Sequence, residues 1–208
     1  MTMGNHTNLA SVMSHHGPGR YSAAHAGTAS HNGSEPLPRA TGTWIVDTNV
    51  ILVANGQHEQ VDAASQARCA QWLQAIMLEG RVALDDAHAI LGEYQHKTHA
   101  SDGTGAGDVF LRWLLHEQDN PARVDKLPLP MVGGHHVHFP SDIRLDQFDP
   151  SDRKFVALAV AHPEHPVILQ ATDSKWLDWA PALRDHQIEV RFICQAVIAA
   201  FHEHKHDH

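Results

Sequence analysis

Four short apolar runs punctuate the chain, and three of them run into acids. They are TWIV (43–46), RVALDD (81–86), PVILQAT (166–172) and IEVRFI (188–193). Compact runs rich in β-branched residues predict strands buried on both faces. Between them, apolar positions recur at helical spacing. NVILVANG (49–56) predicts a short helix closed by Asn55-Gly56. Residues 60–79 predict a longer one, with Ala64, Ala67, Trp72, Ile76 and Met77 on its stripe and Gly80 as its stop. AHAILGEYQHKT (87–98) predicts a helix, as does GDVFLRWLLHEQ (107–118), the latter with Val109, Phe110, Trp113 and Leu114 on one stripe. PSDRKFVALAVAH (150–162) opens a helix with Pro and Asp near its start. A short helix is expected around 176–184 and a last one over CQAVIAAFHEH. Residues 120–148 hold LPLP, GG and HHVHF and are read as irregular, with a short strand at 135–139.

Strands alternating with helices predict a parallel α/β sheet covered on both faces. In that architecture the carboxyl ends of the strands share one crevice. Three predicted strands run into acids there, namely Asp47, Asp85 with Asp86, and Asp173. Glu93 in mid-helix and Asp152 in a first turn are expected on the same side. Asp47, Glu93, Asp152 and Asp173 would then form a pocket of four carboxylates. Such a cluster cannot stay fully ionised without compensation. Hard oxygen donors without clustered Cys or His suit Mg²⁺ or Mn²⁺. Thr48 and Asn49 are placed to orient an acid or a metal-bound water. Taken singly, the acids also have ordinary uses: Asp152 and Asp173 as helix caps, Glu93 as a solvated side chain.

Composition narrows the partners. The formal net charge of −9 argues against a protein that coats nucleic acid nonspecifically, but not against a local acidic site. Two cysteines, Cys69 and Cys194, suggest no disulfide framework and point to a reducing compartment, expected to be the cytoplasm. No apolar run approaches the ~18–20 residues of a membrane helix, and the N-terminus does not read as a signal peptide. The expected organisation is a flexible His/Gly/Ser-rich arm (1–40), one domain (41–201) and a His-rich tail (202–208). Of 20 histidines, five fall in the first 31 residues and four in the last seven. They are read as solvated tails, with metal storage or sensing as the lesser alternative.

The motifs, in their order, resemble the PIN domains over about residues 43–198. That family comprises metal-dependent nucleases, found among bacterial toxin–antitoxin ribonucleases and RNA-processing factors. IVDTNVIL looks like the opening strand with its first acid, Asp47, and the Thr-Asn pair. ILGEY resembles the helix of the second acid, Glu93. SDRKFVALAVA resembles the third motif, with Asp152. VILQATDSKW resembles the last, with Asp173 and an aromatic at Trp176. The resemblance implies a three-layer α/β/α sandwich around a mostly parallel sheet. It implies cleavage of RNA by a metal-activated water, with Asp47, Glu93, Asp152 and Asp173 as ligands of Mg²⁺ or Mn²⁺ and Asn49 as an orienting residue. For a toxin-like member it further implies a protein antitoxin and a homodimer.

The chain is longer than the small toxins, and Asp149 and Asp178 could share or cap where Asp152 and Asp173 act. Arg112, Arg153, Lys154 and Lys175 are candidate phosphate contacts, and Tyr94 and Trp176 candidate stacking surfaces. A catalytically inactive binding module and a DNA-directed nuclease stay open beside the ribonuclease. A dehalogenase-like phosphotransferase would need a second acid two residues after Asp47, where the chain has Asn49.

Overall fold

The computed structural model describes residues 38–58, 61–98 and 103–206. Most of the expected arm, 1–37, and the last two tail residues lie outside the described residues. The chain runs β1 (Gly42–Val46), α1 (Thr48–Ala54), α2 (Ala63–Glu79), β2 (Gly80–Asp85), α3 (Ala89–Lys97), α4 (Ala106–Glu117) and β3 (Val124–Leu127). A hairpin of β4 (Met131–Val132) and β5 (His135–His136) and a 3-10 turn at Ile143–Leu145 follow. Then come α5 (Arg153–Ala161), β6 (Val167–Gln170), α6 (Lys175–Asp185), β7 (Val190–Phe192) and α7 (Gln195–His206). The last helix therefore carries regular backbone into the His-rich segment.

The five long strands form one sheet in the order β3-β2-β1-β6-β7, and every neighbouring pair is parallel. Helices flank it as the outer layers of an α/β/α sandwich. Trp44, Ile45 and Val46 are all buried, which is what an apolar run without polar alternation requires of a central strand. The strand order reverses between β1 and β6, where Asp47 N–H donates to Leu169 O at 2.9 Å. Among the described residues no helix is long and apolar enough to cross a membrane.

Several details of the sequence reading need correction. The stripe of α2 is Ser65, Cys69, Leu73 and Ile76, with Ala64 and Ala67 exposed. Alanine is small enough to sit in water at little cost, so the bulkier Leu73 and Ile76 set the phase. On α4, Leu111 is buried and Val109 faces out. Gly107 lets α4 approach α1 closely: a Cβ there would lie 2.3 Å from Ile51 O. Last, residues 124–127 add an edge strand to the sheet within the segment read as irregular. Only Val124 of β3 is buried, so VDKL carries no apolar run to mark it. The expected strand at 135–139 is instead the hairpin arm His135–His136. Gly133 and Gly134, both at positive φ, close the hairpin as its two-residue turn.

At the amino ends of β1, β2 and β3, a polar cluster ties the sheet together. Thr43 Oγ1 donates to Glu164 at 2.9 Å, Arg81 pairs with Asp125, and His162 Nε2 lies 3.4 Å from the same Asp125 carboxylate. Asp47, Asp85 and Asp173 lie at or just past the opposite, carboxyl ends of the strands.

Candidate functional site

Asp47 leaves the carboxyl end of β1 and becomes the cap of α1. Its Oδ1 accepts the Asn49 N–H at 2.8 Å, and the side chain is almost fully buried. Asn49 thus contributes its backbone to the acid. Burial first, then the neighbouring carboxylates of Asp152, Asp173 and Glu93, push the Asp47 carboxyl up to about 8, against the partial relief of the Asn49 N–H. A buried carboxyl crowded by three others is a site that attracts a proton or another positive charge.

Asp152 stands at the start of α5 but makes no cap hydrogen bond. Its Oδ2 accepts from Trp176 Nε1 at 3.3 Å and its Oδ1 from Ser151 Oγ at 3.3 Å. Burial, with Asp149 and Asp173 adding to it, raises its carboxyl to about 6 despite the indole N–H and the Lys154 charge. Asp173 follows β6 and accepts the Lys175 N–H at 3.0 Å, so it does serve the start of α6. One residue before it, Thr172 Oγ1 is buried with no hydrogen-bond partner.

Glu93 is held on both oxygens. Thr48 Oγ1 donates to Oε1 at 2.5 Å, and Lys154 Nζ pairs with Oε2 at 2.7 Å. Lys154, expected as a phosphate contact, therefore supplies a cation inside the site. Its side chain is only 9% exposed, and Nζ also donates to Ser151 O. Arg153 donates to Phe148 O and Asp146 O and lies over the Phe139 ring, anchoring the 139–148 segment. Arg112 holds Gly103 O. Neither Tyr94 nor Trp176 is available for stacking on a base. Tyr94 is buried with its hydroxyl on Val46 O, and Trp176 is buried against Phe148 at 5.0 Å.

Asp85 is buried too, but its two oxygens accept the Ala89 and Ile90 N–H groups at 2.7 and 2.8 Å. It caps α3. Asp149 accepts from Ser151 N and Oγ, and Asp178 pairs with His202 at 2.7 Å.

The donor chemistry of Asp47, Asp152 and Asp173 suits a hard divalent cation, and Thr172, directly before Asp173, carries an orphaned hydroxyl oxygen. As placed, however, the described residues contain no group of three or more His, Cys, Asp or Glu able to hold a metal ion. An ion would have to draw the carboxylates together. What sequence reasoning missed is the partner of Lys154: the residue was expected as a phosphate contact, and nothing in the sequence marks its pairing with Glu93. No family model, curated protein or solved structure matches the chain.

Proposed function

We propose that the protein is a metal-dependent endoribonuclease of the PIN type. The observation that carries this reading is the raised Asp47 carboxyl at the point where the strand order reverses, crowded by Asp152, Asp173 and Glu93. In open α/β sheets that crevice is where ligands bind. Mg²⁺ or Mn²⁺, when bound, would add positive charge beyond that of Lys154 and would supply the means to activate a water toward a phosphodiester. Asp47, Asp152 and Asp173 would hold it. The chain's own contributions are positional. The Asn49 N–H fixes Asp47, the Trp176 indole fixes Asp152, and the Lys175 N–H fixes Asp173. Glu93 stays with Thr48 and Lys154 and adjusts the charge of the pocket. Both cysteines are free thiols, which supports a reducing compartment such as the cytoplasm.

The Lys154–Glu93 pair favours a second reading, a binding module of the same fold in which an internal cation takes the metal's place. Incubation with single-stranded RNA, structured RNA and DNA, with Mn²⁺, Mg²⁺ or EDTA, separates the two. Metal-dependent RNA cleavage that Asp47→Asn abolishes is the expected result. Equal cleavage by the variant would remove Asp47 from the site, cleavage of DNA alone would change the substrate, and no cleavage would favour the module.

A further inference from the structure

A second buried pair of reactive groups is made by residues outside the acidic cluster. Cys69 on α2 and Cys194, in the two-residue link between β7 and α7, are 125 residues apart in sequence, yet their sulfurs sit 3.8 Å from each other. Both side chains are buried. The geometry points to a thiol-based redox site, in which a hydroperoxide oxidises this pair to an intramolecular disulfide that staples α2 to the start of α7.

Three features support the assignment independently of the acidic site. First, a disulfide needs the sulfurs to close to about 2 Å, a movement of roughly 2 Å from where they stand. Cys194 lies between an edge strand and a helix start, where the backbone has fewer partners than a central strand. Second, Cys194 borders a surface cavity of about 670 Å³, shared with Arg68, Trp72, Arg191 and Gln195. A peroxide can reach Cys194 by this route, whereas Cys69 sits behind it. Third, the two thiols are unequal. The contact between them lowers the Cys194 thiol, while the same contact and burial raise that of Cys69. The thiolate is the nucleophile, and Cys194 is the sulfur that borders the cavity, so Cys194 reacts first.

The steps balance. The Cys194 thiolate attacks one peroxide oxygen, the O–O bond breaks, and hydroxide leaves, giving a sulfenic acid. The Cys69 sulfur then attacks the Cys194 sulfur, the S–O bond breaks, and the Cys69 proton departs with the hydroxyl as water. Two electrons pass from the sulfurs to the peroxide, and a dithiol reductant returns them.

The test uses the full chain with hydrogen peroxide as the probe. The expected result is a monomer that loses two hydrogens by intact mass, has no titratable thiol when denatured, and melts about 5–15 °C higher. Dithiothreitol should reverse all three changes. In Cys69→Ser, Cys194 should accumulate as a sulfenic acid captured by dimedone, while in Cys194→Ser the Cys69 thiol should stay unmodified. Cys69→Ala serves if the serine variant does not fold. Thiols that survive peroxide, cross-linked dimers, or equal labelling of the two single variants would each overturn the assignment.

Discussion

Lys154 Nζ lies 2.7 Å from Glu93 Oε2, which joins the first turn of α5 to the middle of α3 inside the acidic crevice. The pair is largely withdrawn from water, with side-chain exposures of 9% and 24%. Removing one partner leaves the other charge desolvated, and that penalty exceeds the value of the contact itself. Glu93→Gln is therefore expected to cost about 1–3 kcal/mol in urea unfolding. Lys154→Met should cost a similar amount, and the double variant should recover part of the loss. Strictly additive costs would mean that the two side chains do not interact in solution.

Asp47 gives a pH signature of opposite sign to an ordinary ion-paired carboxylate. Its carboxyl is raised from 3.8 to about 8 in the folded protein. Above pH 4 the unfolded chain has released this proton while the folded chain still holds it. Metal-free stability from this group should thus fall as pH rises from about 4 to about 8. Asp152, raised to about 6, adds to the fall between about 4 and 6. Asn keeps the oxygen that accepts the Asn49 N–H, so Asp47→Asn removes the charge and spares the cap. In EDTA at pH 7 the variant should be more stable than the parent by at least about 1.4 kcal/mol, the value of a tenfold change in proton affinity. The gain should vanish near pH 4. A variant no more stable than the parent at pH 7 would show that Asp47 is not held in a charge-repelling environment.

How far the site was legible follows from what each residue depends on. The position of Asp47 was legible because a carboxylate placed directly after a buried strand is costly unless it is used, and that cost is written in the local sequence. The positions of Asp152 at a helix start and of Asp173 after a strand follow from the same logic. Lys154 as the partner of Glu93 was not legible, because the pairing spans 61 positions between two helices whose relative rotation is set by packing. The same limit hid β3. Its place in the sheet comes from backbone pairing with β2, while its side chains are half polar.

Asp85 shares with Asp47 the place at the end of a buried strand, yet it serves a helix. Both of its oxygens are taken by the N–H groups of Ala89 and Ile90. Asp85→Ala would leave those donors without partners, at a cost of about 1–3 kcal/mol in thermal or urea unfolding. Its response to divalent metal should match the parent's. A loss of metal response without a loss of stability would move Asp85 into the site and remove it from the α3 cap.

Metal addition then separates the ligands from the scaffold. A cation that binds only the folded chain raises stability by mass action, about 2.7 kcal/mol at a concentration one hundred times its Kd. Calorimetry in rising Mn²⁺ should show the parent's Tm climbing, with Asp85→Ala climbing in parallel from a lower start. Asp47→Asn should stay flat, and because it begins higher in EDTA, the two melting curves should cross as metal is added. That crossing requires the same carboxylate to be a burden without the ion and a ligand with it. A parent whose Tm is indifferent to Mn²⁺ and Mg²⁺ would leave the raised Asp47 carboxyl as a proton site, with Lys154 as a cation already in the pocket.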